Sequence, residues 1–123
     1  VPQNKIAIPD PVISFNLPQS TFNEIQRAGS VLQLPDLAIR STNGTIVATV
    51  LDIGEPTSND YSIVVGVNDT EAEFDFHFKI ENLKFIPGDY TVNITEKIVS
   101  EFVNTSVDTT YWVALESTSK YTG

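Results

Sequence analysis

The sequence contains no cysteine, no methionine and only one histidine, His77, in 123 residues. Without cysteine the chain cannot form disulfide bonds or thiolate metal sites, and one histidine cannot build a histidine-rich metal site within a chain. We therefore expect no metal ion and no other cofactor. Because methionine is missing even from the first position, we also expect a processed product or a piece of a longer gene product.

Long apolar runs and positive charge are also scarce. No apolar run approaches the roughly 20 residues that cross a bilayer, and no basic, apolar leader marks a signal peptide. The sequence therefore predicts no membrane partner. Its 7 basic residues are outnumbered by 16 acidic ones, which gives a net charge of −9. Proteins that grip nucleic acid by neutralising phosphates usually have the opposite sign, so charge alone argues against a simple DNA binder.

The length corresponds to one domain that can bury a core, and 41% of the residues are hydrophobic. We place this domain at residues 12–116, with two half-repeats at about 12–68 and 73–116. Residues 1–11 contain three prolines and are expected to form a linker or leader. Residues 117–123 are polar and are expected to form a flexible tail.

One long amphipathic helix is predicted, at about residues 19–32. Its apolar positions recur at helical spacing and are Phe22, Ile25, Ala28, Gly29 and Leu32. Ser20 or Thr21 could cap its N-terminus, with Glu24 close to the position that a capping box requires. Asn23, Gln26, Arg27 and Ser30 fall on the opposite, polar side.

Alternating apolar and polar residues predict the other elements of the first half as strands. These strands are residues 12–17, 37–41, 45–53 and 61–67. Asn43 and Gly44 predict a tight hairpin turn between the second and third strands, because a type I′ turn needs positive φ at both central residues.

The second half repeats the same order of elements. Phe74, Phe76 and Phe78 form the aromatic face of a strand, and residues 80–85 form one or two helical turns. Strands follow at residues 90–96, 98–103 and 110–116. Each half therefore comprises a strand, a helix and three strands, which predicts an α+β fold built from a duplicated βαβββ unit.

The isolated polar motifs give no reason to expect catalysis. His77 alternates with phenylalanines and is interpreted as an outward-facing polar residue. The acidic residues Asp69, Glu71, Glu73 and Asp75 lack the glycine and ligand order of an EF-hand and are interpreted as a solvated surface. No glycine-rich phosphate loop and no Gly-x-Ser-x-Gly motif occurs. We assign no catalytic residue and expect no enzyme.

The second half resembles a known family. Residues 74–90 are similar to the C-terminal domain of the sliding clamp (the DNA polymerase processivity factor) of T-even-type bacteriophages. The matching positions are two spaced aromatics, an asparagine-to-lysine step and a Pro-Gly before an aromatic: Phe74, Phe76, Asn82, Lys84, Pro87, Gly88 and Tyr90. Residues 111–116 also resemble the final strand of that family, and the resemblance extends from about Ile6 to Ser119.

The resemblance implies a DNA-clamp-like fold, with two helices on one face of curved antiparallel sheets. It implies a ring of clamp domains that encircles duplex DNA with weak direct contact and performs no chemistry. The implied partners are duplex DNA, a replicative DNA polymerase, a clamp loader and other clamp domains, in the cytoplasm of the infected bacterial host. Because such clamps have two domains, we expect a fragment that lacks the N-terminal domain.

Two sets of candidate site residues follow. Arg27 is expected to face DNA, because the buried positions of its helix push it outward and it matches a basic residue of the family. Lys84 holds the equivalent place in the second half, and Asn23 and Ser30 are neutral neighbours of Arg27. Family analogy places a docking site for a partner peptide on the last strand and the residue after it, at Tyr111, Val113, Leu115 and Ser117.

A different class of function stays open at this point. A secreted or virion β-sandwich used for adhesion or binding would also have many strands and a high content of Ser, Thr and Asn. Such a protein could carry glycans at its Asn-x-Ser/Thr triplets, which begin at Asn43, Asn68, Asn93 and Asn104. The predicted helix at residues 19–32 argues against this alternative, because an immunoglobulin-like sandwich has no place for a helix after its first strand.

Overall fold

A computed structural model describes residues 12–55, 60–68, 72–95 and 99–122. The elements run in the following order: β1 Ile13–Leu17, α1 Gln19–Val31, β2 Asp36–Thr42, β3 Thr45–Leu51, β4 Tyr61–Val67, β5 Glu73–Lys79, a 3₁₀ turn Ile80–Asn82, β6 Tyr90–Ile94, β7 Val99–Asn104, β8 Thr110–Ala114 and β9 Lys120–Thr122. The predicted order of strand, helix and three strands is present in the first half, and in the second half a 3₁₀ turn stands in the place of the helix. The predicted linker at residues 1–11 and the acidic residues Asp69 and Glu71 lie outside the described residues.

All strand pairs are antiparallel, and they form two sheets. The four-stranded sheet has the order β1-β6-β7-β8, and the five-stranded sheet has the order β4-β3-β2-β5-β9. The first strand of each half therefore pairs in the sheet of the other half. This exchange makes the two half-repeats interdependent, since each sheet contains a strand from the other half. The α+β class is confirmed.

The second expected helix is only a 3₁₀ turn of three residues. The segment has little room for a longer helix, because β5 ends at Lys79 and Pro87 follows soon afterwards. The residue before a proline avoids the helical region, which rules out helix at Ile86. The expected pair of helices is thus one α-helix and one short turn among the described residues.

The core lies between the sheets and α1. The predicted aromatic face of β5 is confirmed, since Phe74, Phe76 and Phe78 are all buried. A second aromatic cluster joins α1 to the second half. Phe22 lies 5.9 Å from both Phe85 and Tyr90, measured between ring centroids. The burial of these large rings supplies much of the hydrophobic stabilisation, because buried aromatic rings contribute large areas.

The predicted N-cap of α1 is wrong. The helix begins at Gln19, the predicted start, so Ser20 and Thr21 lie inside it. Pro18 holds the N-cap position, without a side-chain cap hydrogen bond. Instead, Gln19 N donates to Asp89 Oδ1 at 2.8 Å, over a sequence separation of 70 residues. Because the first N–H groups of a helix have no partner within the helix, a carboxylate from the second half satisfies one of them.

Two further expectations differ from the structure. The C-terminal residues 120–122 form strand β9 on the edge of β5, so this part of the tail is paired and not loose. His77 is buried, with 6% of its surface exposed, because the turn that precedes β9 covers it. The predicted hairpin turn is confirmed, with φ of 47° at Asn43 and 81° at Gly44.

Candidate functional site

Three of the four predicted DNA-facing residues lie along one exposed face of α1. Phe22, Ile25, Ala28 and Gly29 point into the protein. Asn23, Arg27 and Ser30 are exposed. Their spacing of four and then three residues aligns them on one side of the helix. The sequence therefore predicted this face correctly from periodicity alone.

Lys84 lies beside this face, in the segment that follows the 3₁₀ turn. One groove between α1 and this segment is lined by Ser30 and Lys84, and an adjacent groove is lined by Asn23 and Lys84. Arg27 lines neither groove, although it shares the exposed face of the helix. The structure thus brings Lys84 together with Asn23 and Ser30, and places Arg27 next to them on α1.

Gln26, which the sequence analysis noted only as polar, joins the two parts of this surface. Its Nε2 donates to the carbonyl oxygen of Leu83 at 3.0 Å, directly before Lys84. The same carbonyl oxygen also accepts from Phe85 N at 3.1 Å, so the side chain of Gln26 adds a second hydrogen bond to it. The sequence signal for this role of Gln26 was weak, because glutamine is common on the polar side of a helix.

A glycine allows α1 to approach the 3₁₀ turn closely. A Cβ atom at Gly29 would lie 2.9 Å from Ile80 Cδ1 and 3.2 Å from the carbonyl oxygen of Leu34. The helix therefore packs on the turn at a distance that other residues would not allow without a shift. The hydrogen bond of Gln26 and the close packing at Gly29 keep α1 and residues 80–84 in contact. The helix and this segment therefore form one continuous surface.

The charge of this surface is mixed. Arg27 and Lys84 form no ion pair with any described residue. Lys79, on the wall of one groove, lies 3.2 Å from Asp36, and this partner raises the pKa of Lys79. Glu81 lines the same groove as Lys84. A surface with so few free cations can offer only weak phosphate contact.

An acidic side chain on α1 is also engaged within the protein. Glu24 Oε2 accepts a hydrogen bond from the Tyr61 hydroxyl at 2.6 Å, and this bond raises the pKa of Tyr61. The contact ties α1 to β4 and directs the carboxylate of Glu24 toward the sheet. Glu24 is therefore held by a partner on β4 beside the row formed by Asn23, Arg27 and Ser30.

The predicted docking residues at the C-terminal strand fall into two groups. Val113 and Leu115 are 7% and 6% exposed and belong to the core, so they offer no surface to a peptide. Tyr111 is half-buried and stacks on Phe85 with ring centroids 4.1 Å apart. Ser117 is exposed in the turn after β8. The prediction selected inward positions because the apolar alternation of a strand marks its buried face.

The outward face of β8 carries the residue that the sequence analysis missed. Trp112 is 36% exposed and lies at the edge of the four-stranded sheet. Its cross-strand partner on β7 is Glu101. The signal that could have identified it was its register, since it alternates with the half-buried Tyr111 and the buried Val113. Peptide docking at this strand stays a prediction.

A cluster of metal-ligating side chains and a membrane-spanning helix are both absent from the described residues. In the described part of the chain, no group of three or more His, Asp or Glu side chains is arranged to hold a metal ion. The helix within those residues is also too short and too polar to cross a bilayer.

Comparisons with known proteins agree with this architecture. Residues 14–117 match the family model described as "gp45 sliding clamp, C terminal". The chain is 30% identical over 105 residues to a sliding clamp of Vibrio phage KVP40. This match covers 84% of the chain but 47% of the relative, so the chain spans about half the length of that protein. The chain belongs to the family of gp45 sliding-clamp C-terminal domains.

Proposed function

We propose that this chain is a domain of a DNA sliding clamp, a processivity factor that encircles duplex DNA and tethers a replicative polymerase. The observation that carries the proposal is the family match over residues 14–117, which spans both interlocked halves of the fold. The clamp acts as a topological tether and performs no chemistry. We place the site of action in the cytoplasm of the infected bacterial host, because the relative is a phage protein.

The exposed face of α1 and the neighbouring segment would face the DNA. Arg27 and Lys84 are free of ion pairs with described residues, and Asn23 and Ser30 add neutral polar groups. The net charge of −9 would repel DNA from the rest of the surface. Weak contact suits a ring that must slide, because each phosphate that is neutralised strengthens binding and slows movement.

The two edge strands of the five-stranded sheet have no further strand partner among the described residues, which supports ring formation with other clamp domains. β4 forms one edge, where Val64 and Val67 are 62% and 74% exposed, and β9 forms the other. Unpaired edges accept strands of another chain, and a head-to-tail arrangement uses both edges of each unit. We further propose that this chain is a fragment that lacks the N-terminal clamp domain, since it spans 47% of the relative.

As a fragment, the chain alone should be monomeric or only weakly associated. Gel filtration with light scattering measures this directly. A stable closed ring formed by these 123 residues alone would contradict the fragment hypothesis.

The partner proteins would include the polymerase and a clamp loader. A peptide of the polymerase would dock at the edge of β8, where Trp112, Tyr111 and Ser117 provide surface. Extended peptides bind sheet edges through backbone hydrogen bonds and use aromatic side chains as anchors. Trp112→Ala in the full-length clamp should lower polymerase stimulation, whereas removal of residues 117–123 would also remove β9. Unchanged stimulation by Trp112→Ala would remove this site. The position of α1 directly after β1 disfavours the alternative of a β-sandwich used for adhesion, because an immunoglobulin-like sandwich has no helix at that place.

The DNA-facing surface is tested by charge reversal in the full-length clamp. Arg27→Glu and Lys84→Glu, singly and together, should shorten retention on circular DNA and change its dependence on salt. Each phosphate contact that is lost changes the slope of log affinity against log salt by about 0.9. Folding should be unaffected, because exposed substitutions usually change stability by less than about 0.5 kcal/mol.

Ala114→Glu is the control, since Ala114 is exposed on β8, outside α1 and outside the proposed ring edges β4 and β9. This variant also makes the surface more negative and should retain the parent's salt dependence. Equal retention of the double variant and the parent at every salt concentration would show that Arg27 and Lys84 are ordinary surface charges. Equal loss in all the variants would show a general effect of net charge.

A further inference from the structure

His77 joins β5 to the turn that precedes β9 through three of its polar groups. Its backbone N–H donates to Ser119 Oγ at 2.8 Å, and its carbonyl oxygen accepts from Glu116 N at 2.9 Å. Its ring Nδ1 lies 2.7 Å from Thr118 Oγ1. The turn is closed by Ser119 N, which donates to the carbonyl oxygen of Glu116 at 3.0 Å. One residue of β5 therefore holds both ends and the middle of this turn.

The turn leads directly into β9, which has few other contacts. β9 has three residues, and its described strand partner is β5 alone. Its largest side chain, Tyr121, stacks on Phe76 with ring centroids 6.2 Å apart. Because a short edge strand is paired on one side only, its position depends strongly on the segment that delivers it to the sheet. The contacts of His77 with this turn therefore hold the chain immediately before β9 begins.

The imidazole ring is itself held in place. It is buried and lies on the same face of β5 as Asp75, two residues away. Nε2 is 2.9 Å from Asp75 Oδ1, although the two atoms are not aligned as a hydrogen bond. The same carboxylate oxygen accepts from Arg40 Nε at 2.9 Å. Arg40 on β2 thus fixes Asp75, and Asp75 limits the orientation of the ring that reaches Thr118.

We propose that His77 is a positioning residue that sets the location of β9 and hence of one free edge of the five-stranded sheet. The role of this edge in assembly rests on the proposed ring, because the edge of β9 is one of the two that would meet a neighbouring clamp domain. The contact between His77 and the turn belongs to the single chain and needs no ring.

Hydrogen exchange of the single chain tests the positioning of β9. Thr118→Val removes the hydroxyl that meets Nδ1 from an exposed residue, and His77→Ala removes the ring. Loss of one hydrogen bond should speed exchange of the amides at residues 120–122 by about five- to tenfold relative to the amides of β6. His77→Asn should retain most of the protection, because the asparagine amide places a polar atom near the position of Nδ1.

Thr49→Val is the control for a general loss of stability. Thr49 is buried in the same sheet and bonds Ser62 on β4, far along the sheet order from β9. It should speed exchange without a preference for residues 120–122. The proposal is overturned if Thr118→Val leaves these residues unchanged, or if His77→Ala speeds exchange uniformly as Thr49→Val does. Since Thr118→Val alters no core residue, the test does not depend on the folding of His77→Ala.

A second measurement separates this proposal from the proposed function. Subunit exchange in the full-length protein should be several-fold faster for Thr118→Val than for the parent if the edge of β9 takes part in a ring. Equal exchange in rings of parent and variant would overturn the role in assembly. Absence of any ring in the parent would overturn the proposed function, while the hydrogen exchange result would still decide whether His77 positions β9.

Discussion

Replacement of Asp89 by alanine should destabilise the protein through helix α1, although Asp89 is 70 residues away from the start of that helix. The carboxylate accepts the Gln19 amide hydrogen at 2.8 Å, and the helix has no other side-chain cap. Loss of an N-cap acceptor typically costs about 1 kcal/mol. We therefore expect Asp89→Ala to lower the free energy of unfolding by about 1 kcal/mol and the Tm by roughly 4 °C.

Urea unfolding followed by circular dichroism measures this difference, and two comparisons identify its cause. Asp89→Asn keeps an oxygen acceptor and loses only the charge, so it should cost about 0.3–1 kcal/mol. Ser20→Ala changes the residue that the sequence suggested as the cap, and it should cost less than about 0.5 kcal/mol. A loss in Ser20→Ala as large as that in Asp89→Ala would refute the assignment of the cap to Asp89.

Two further predictions follow from the packing of α1 and from the Lys79 ion pair. Gly29→Ala should lower the free energy of unfolding by about 1 kcal/mol, because its Cβ would lie 3.2 Å from the carbonyl oxygen of Leu34 and 2.9 Å from Ile80 Cδ1. In a double-mutant cycle, Ile80→Val should relieve part of this loss. Strict additivity of the two substitutions would contradict the contact. Lys79, whose pKa is raised above 10.5 by Asp36, should stabilise the fold fully below pH 10.5 and lose this effect as the pH rises through its pKa in the folded protein. The stability difference between the parent and Lys79→Gln should therefore shrink in strongly alkaline urea titrations, and a constant difference would contradict the pairing.

The local elements could be predicted because their signals are local. Alternation of apolar and polar residues predicted strands β1 to β8 and the buried aromatic face of β5, and helical spacing predicted α1 and its exposed row of Asn23, Arg27 and Ser30. The turn at Asn43 and Gly44 followed from the need for positive φ. These patterns depend on the geometry of a few neighbouring residues, so they survive any tertiary arrangement.

The candidate site was only partly predictable. The exposure of Arg27 and Lys84 followed from periodicity and from the repeat, but their relative position depends on Gln26 and Gly29, which join α1 to the segment after the 3₁₀ turn. At the C-terminal strand, the apolar alternation marked Val113 and Leu115, which are buried, and passed over the exposed Trp112. Periodicity identifies the buried face of a strand, whereas a docking surface lies on the exposed face.

The sequence by itself determined the order of α1 and strands β1 to β8, the face that α1 buries and the family to which the chain belongs. Only the tertiary structure decided that the first strand of each half pairs in the other sheet, that Asp89 caps α1, and that His77 is buried under the turn before β9. Each of these features joins residues that are far apart in the chain, as do Ser14 and Asn93, whose side chains bond across 79 residues. Such pairings depend on the closure of long loops and on the register of several strands at once, and no local pattern of residues encodes them.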